Sequence, residues 1–294
     1  MLSGRILRKL LAYGSWVTVG NVVNPILVSM ERFLIGSLMS VAMVGYYTAS
    51  FEALSKLWLV PNSLTITIFP ACSALGIARK RELSLLYFRS MKYLFLILTP
   101  LSLIGAIFGK EIVQLWLGPT FAAKSSIVFQ ILAIGVPVNC FAHIPYCFLQ
   151  ALDRPRSPAV LFLFELLPYT AVMWWSIRHY GIAGAAAAWS VRVAIEAGIL
   201  MFMVWQIFRL SPAGLLGRKQ VWRGTAMLGI MAIALIATKM VLGLSLPVEC
   251  GVVVLGLACF GLSGWRYILD DTDREALIAL MRPLRVDTSN QAAA

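Results

Sequence analysis

The sequence predicts an all-α, polytopic membrane bundle of about eight transmembrane helices, and three observations carry that prediction. Hydrophobic residues make up 60% of the 294 and charged residues only 13%, with a mean hydropathy of +0.83, well outside the range of soluble domains of this length. The apolar stretches are continuous runs of about 20 residues, bounded by charges or turn residues, rather than segments alternating every second residue. In lipid only helices or closed barrels satisfy the backbone, and continuous runs select helices. No strand is expected.

Taken in order, the runs place spans near residues 11–39, 42–74, 92–109, 125–149, 158–178, 182–208, 223–243 and 247–266. The first follows a basic start (Arg5, Arg8, Lys9) but is too long, and too polar at Asn21, Asn24 and Glu31, for a cleaved signal segment. Most of the 25 basic residues fall in alternate connections, among them Arg79, Lys80 and Arg81, then Arg154 and Arg156, then Arg218, Lys219 and Arg223. By the positive-inside rule these connections, and both termini, are cytoplasmic. The formal charge of +12 thus reads as topology and attraction to anionic lipid, and scattering over five loops argues against nucleic-acid binding. Cys72, Cys140, Cys147, Cys250 and Cys259 have no metal-ligand spacing and read as small buried residues, so no metal or cofactor is expected.

The first two spans hold ionisable groups in their interiors: Glu31, Arg32, Glu52 and Lys56. Each costs roughly 2.5–3.5 kcal/mol at bilayer depth, so each should face another charge, a water-filled cavity or a substrate path. Gly14, Thr18, Asn21, Pro25, Ser29, Arg32, Gly36 and Ser40 recur at steps of three and four, which puts them on one helix face. Small residues alone would make this a packing seam; Asn21, Arg32 and a Pro25 kink point instead to a polar cavity wall. A turn near Ser40 brings Glu52 level with Glu31 and Arg32, and Glu52 with Lys56 four on forms a favourable same-face pair that continues to Asn62 and Ser63.

Residues 79–92 read as a basic inside loop, and 110–125 as an outside loop whose EIVQLWLGP segment forms a short interfacial helix stopped by Gly118-Pro119. The fourth span carries Pro137, Asn139, His143 and Pro145, with His143 a packed residue or a proton-relay candidate. In the fifth, Glu165 is open between an interfacial and a functional role, and Trp174, Trp175 and Tyr180 form an outer belt. The sixth opens on small residues, GIAGAAAAW, and then sets Arg192 four before Glu196. That order is the weaker one within a helix and suggests that one of the two reaches elsewhere. Beyond 209–222 come the last two spans, then a capping box (Thr272, Glu275) and a short amphipathic surface helix before Pro283. The expected organisation is 1–210, a six-helix lobe; 211–268, two additional helices; and 269–294, a cytoplasmic tail.

YGSWVTVGNVVNPILVSMERFLIGS, GYYTASFEALSKLWLVPNSLT, EIVQLWLGPTF and LQALDRPRSP followed by WWSIRHYGIAGAAAAW together resemble the polysaccharide (O-antigen type) flippases of the multidrug, oligosaccharidyl-lipid and polysaccharide exporter superfamily. The resemblance covers roughly residues 5–205. It implies one lobe of a two-lobe exporter, six helices per lobe around a central cavity, in the bacterial inner membrane. It also implies a cargo, lipid-linked oligosaccharide built on undecaprenyl-pyrophosphate, carried outward for surface polysaccharide biosynthesis, with membrane lipids and polymerase or chain-length machinery as partners. The family pattern has Asp before Arg where this chain has Glu31 before Arg32, and often a basic residue near Ile66, here apolar.

Only the second lobe is resembled, and one lobe cannot enclose a two-lobe cavity. The preferred expectation is a truncated reading frame or misplaced start; the alternative is a homo-oligomer or a separately encoded first lobe. On this reading Arg32, Lys56, Arg192 and Asn21 contact substrate, while Glu31, Glu52 and Glu196 hold the cations or exchange a coupling ion. Interior acids outnumber interior bases once Glu165 is included, which keeps a proton- or sodium-coupled multidrug or cation antiporter as the alternative, beside an inactive half-transporter remnant. An enzyme is not expected, because the loops are too short to build an extramembrane catalytic site.

Overall fold

The computed structural model describes residues 4–208, 218–241, 246–267 and 269, and among these there is no strand. The chain divides into two units, Met1–Leu215 and Leu216–Ala294. The first contains α1 (Gly4–Leu38), α2 (Val41–Ser55), α3 (Leu59–Leu75), α4 (Lys80–Leu117), α5 (Pro119–Ala151) and α6 (Arg156–Phe208). Five helical stretches are long and apolar enough to cross a membrane, α2 and α3 counting as one through the 3-10 turn Lys56–Trp58. The all-α polytopic membrane bundle expected from composition is therefore what the chain forms.

Where helices stop, local chemistry explains it. Ser40 caps α2, its hydroxyl accepting from the Met43 amide at 3.4 Å, as N-cap serines do. Gly76 and Gly118 sit at φ +58° and +87°, in the left-handed region that ends helices, and Pro119 follows Gly118 as the first residue of α5. The 53 residues of α6 would span about 80 Å if straight, more than twice a bilayer core. It folds back at Gly181 (φ +60°, ψ −142°). There a Cβ on Gly184 would lie 2.2 Å from the Ser176 carbonyl oxygen, so the two arms close only without a side chain at 184. The fifth and sixth expected spans are thus the two arms of one folded element.

Two local expectations need correction. The stretch expected as a basic loop over 79–92 is helical from Lys80, because its basic residues interleave with Leu83, Tyr87 and Leu94, which are buried. The outside loop expected over 110–125 is also helical apart from Gly118: α4 bends at Phe108 (φ −104°, ψ 17°) and runs on to Leu117.

Helix α5 is the central post of this unit, packing against α2, α3, α4 and α6. Its seams are backbone-close: Ser102 Oγ donates to the Ala133 carbonyl at 2.7 Å and Gln130 Nε2 to the Ala106 carbonyl at 2.9 Å, while the Gly135 backbone passes beside Ser190. Helix α1 lies along α6. Phe51 anchors the α2 contact, meeting Trp189 edge-on at 5.2 Å and Trp58 at 5.7 Å between centroids.

The second unit holds α7 (Arg218–Val241) and α8 (Leu246–Tyr267), which pack on each other. Met231, Leu235 and Phe260 are buried there, and the Arg223 guanidinium lies 6.0 Å from the Tyr267 ring centroid, tying the two ends of the pair. The connection 209–217, the capping box and the surface helix before Pro283 lie outside the described residues.

Candidate functional site

The faces of α1 are assigned by spacing. Gly20, Val23, Leu27, Glu31 and Ile35 recur at steps of three and four and are the buried residues. The polar stripe from Gly14 to Ser40 falls on the other side: Asn21 is exposed and Arg32 part-exposed. Adjacent in sequence, Glu31 and Arg32 thus point to different surroundings.

Glu31 is fully buried, and neither carboxylate oxygen has a hydrogen-bond partner among the described residues. It faces Arg192, Tyr169 and Tyr47, whose hydroxyls at 47 and 169 are also unpartnered there. Arg192, 6% exposed, holds Glu165 Oε2 at 3.5 Å and Glu196 Oε2 at 3.3 Å and lies 5.1 Å above the Tyr169 ring. One guanidinium therefore clamps both arms of α6 across their fold, Glu165 from the first arm and Glu196 from its own. The order Arg192 before Glu196 left a second partner expected, and Glu165 is that partner.

Arg32 and Glu52 form the other ion pair, Nη2 to Oε1 at 2.9 Å, with side chains 30% and 49% exposed. The Arg32 guanidinium also lies 5.1 Å over the Phe51 ring. Glu52 is thus paired across helices with Arg32, not along its own helix with Lys56. Lys56, which opens the 3-10 turn after α2 ends at Ser55, forms no ion pair with Glu52. Lys56 and Asn62 are exposed on the same stretch.

A cavity of about 750 Å³ opens between α1, α3 and α5. Its α5 wall is Asn139, His143, Tyr146 and Gln150; facing it are Trp58 of the 3-10 turn and Asn62, Thr65 and Phe69 of α3; α1 adds Asn24 and Ser29, and Glu196 reaches it from α6. Gln150 Nε2 donates to the Tyr146 hydroxyl at 2.7 Å. Among the described residues, no Lys or Arg borders this space. Asn21, Arg32, Lys56 and Arg192 all lie off its lining; Arg192, with Glu165 and Tyr169, instead borders a smaller pocket of about 260 Å³. The structure thus brings Arg32 to Glu52, and Arg192 to Glu196 and towards Glu31, and leaves Asn21 and Lys56 apart from both groups.

Sequence reading missed Tyr47, Tyr169, Tyr146 and Gln150 as interior polar groups. Part of the signal was present. Residues 139, 143, 146 and 150 recur at steps of four, three and four, as do 58, 62, 65 and 69, which is how two facing helices line one space. Glu165 and Tyr169 are likewise four apart.

Helices long enough to span a bilayer, with ion pairs and a polar cavity held among them, define a multi-pass membrane protein. The polysaccharide biosynthesis protein family matches residues 1–126. A Shigella flexneri protein named "Putative O-antigen transporter" is 31% identical over 196 residues, covering 67% of this chain and 46% of that protein. An uncharacterized membrane protein of Methanocaldococcus jannaschii is 25% identical over 280 residues, 91% of this chain and 53% of that protein. These matches agree with the polysaccharide flippase family that the chain's own residues resemble. It spans about half the length of the curated relatives it matches.

Proposed function

We propose that the protein acts in polysaccharide export, moving lipid-linked oligosaccharide on undecaprenyl-pyrophosphate across the bacterial inner membrane for surface polysaccharide biosynthesis. The observation that carries this is the Arg32–Glu52 pair, part-exposed within segments apolar enough to span a membrane, the second of which also exposes Lys56 and Asn62. Groups of this kind do not face hydrocarbon; they face a water-filled path or a second lobe that completes one. Kinship with the Shigella protein supports the choice of cargo. On this reading Arg32 grips the pyrophosphate with its planar donors, Lys56 adds a point contact, and Glu52 holds Arg32 in place while weakening its grip enough for release. Arg192 and Glu196 are positioning groups within the lobe, and Glu31 their neighbour.

Both termini are then cytoplasmic, membrane lipids surround the bundle, and the other wall of the path comes from a second copy or a separately encoded lobe. Polymerase and chain-length machinery are the expected downstream partners. The family relationship also argues for transport without an enzymatic step.

Arg32→Gln is expected to lower surface polysaccharide at least about tenfold in a flippase-deficient strain restored by this chain together with a first lobe, with little change in the chain's stability, because an exposed pair contributes only about 0–1 kcal/mol. Immunoblotting of surface polysaccharide measures this. Undiminished export by Arg32→Gln would count against the reading. Failure of the chain to restore export, alone or with a first lobe, would mark it as an inert half-transporter.

A second reading has one observation in its favour: the buried cluster sets three carboxylates, Glu31, Glu165 and Glu196, against the single Arg192. Such an excess suits a proton- or sodium-coupled antiporter of drugs or cations. That reading requires Glu31→Gln to abolish ion-driven efflux while Arg32→Gln leaves it intact.

A further inference from the structure

We infer that the cavity between α1, α3 and α5 is a recognition site for a neutral saccharide, separate from the cationic groups that would meet a phosphate. This rests on the transport reading for its place in the cycle, but the chemistry of the walls carries it.

Its polar lining is uncharged apart from Glu196: amides at Asn24, Asn62, Asn139 and Gln150, the His143 ring and the Tyr146 hydroxyl. These groups donate and accept within one small space, which matches a ligand whose hydroxyls do both. Between them stand the apolar faces of Trp58, Phe69 and Phe162, which suit the C–H faces of a pyranose ring. One lining group is left waiting: Trp58 Nε1 is buried without a hydrogen-bond partner among the described residues, whereas Glu196 Oε2 is already ion-paired with Arg192. An indole N–H is a donor, and a hydroxyl or ring oxygen of a saccharide would satisfy it.

Two rival occupants fit less well. A phosphate or pyrophosphate would find no Lys or Arg on the lining and would meet the Glu196 carboxylate. An acyl chain would fill the volume of about 750 Å³ but leave the amides, the imidazole and the indole N–H facing hydrocarbon with no partner. The same Glu196 charge disfavours acidic sugars, so the site selects neutral units. The volume is that of a small-ligand site, within the usual range of about 300–1,000 Å³.

The test uses the full chain in lipid nanodiscs and saturation-transfer NMR. The probes are a set of neutral mono- to trisaccharides (hexose, 6-deoxyhexose and N-acetylhexosamine units), glucuronic acid and inorganic pyrophosphate. At least one neutral saccharide is expected to show transfer that falls about fivefold in Asn62→Leu and in Gln150→Leu. Transfer should be unchanged in Ser37→Leu, outside the cavity lining; all variants are checked for an unaltered unfolding temperature. Transfer to glucuronic acid should be weaker. The inference is overturned if no neutral saccharide shows transfer, if transfer ignores Asn62→Leu and Gln150→Leu, or if pyrophosphate competes at this site. Saccharide binding without restored export would sink the transport reading and leave this one; restored export without saccharide binding would do the reverse.

Discussion

Arg192→Leu is expected to destabilise the chain by about 3–5 kcal/mol, the cost of leaving buried carboxylates without their cation. The guanidinium is 6% exposed and contacts Glu165 and Glu196 while facing Glu31, so its removal strands three acids in a region nearly closed to water. It would also remove the bridge that ties the two arms of α6 on either side of Gly181. Removing charge from the partners should reverse most of the loss: Arg192→Leu combined with Glu165→Gln and Glu196→Gln is expected to regain more than half of it. Denaturant titration in detergent, followed by tryptophan fluorescence, measures both steps. A single variant as stable as the parent, or a triple variant no better than the single, would show that the cluster is solvated and not buried.

Gly135→Ala is expected to cost about 1–3 kcal/mol, as overpacking of a close helix contact does, although alanine is the better helix former. A Cβ there would lie 2.2 Å from Ser190 Oγ, 2.8 Å from its Cβ and 3.2 Å from its Cα. Because the Ser190 Cβ stands in the way as well as its hydroxyl, rotation of Ser190 cannot clear the space, and α5 must move off α6. Ser190 Oγ has no hydrogen-bond partner among the described residues, so it can be removed without orphaning another group. Gly135→Ala with Ser190→Gly should therefore recover most of the stability, and a thermal unfolding series on the single and double variants reports it. Loss that the second change does not restore would mean that the strain lies elsewhere in the seam.

Legibility differed between levels of the structure. Fold class was readable because membrane insertion is governed by composition and run length, properties carried by each segment alone: 60% hydrophobic residues in continuous runs admit little but helices. The helix stop at Gly118-Pro119 and the turn near Ser40 are local chemistry and stood in the sequence; that Ser40 caps α2 came from the structure. The helical course through 79–92 was hidden because charges there suggested a loop, while the apolar residues between them decided for a buried helix face.

Partner choice among the charges belongs to a different level. Sequence by itself placed Glu31, Arg32, Glu52, Lys56, Arg192 and Glu196 at bilayer depth, since an ionisable residue inside an apolar run is an anomaly wherever the helix packs. Only the tertiary structure decided that Arg32 takes Glu52, that Arg192 takes Glu165 from the other arm, and that Glu31 turns inward while its neighbour turns outward. Those outcomes depend on how the helices rotate against one another. The rotations follow from packing between surfaces far apart in sequence, such as Phe51 on Trp189 and Gly135 beside Ser190, which no single segment encodes.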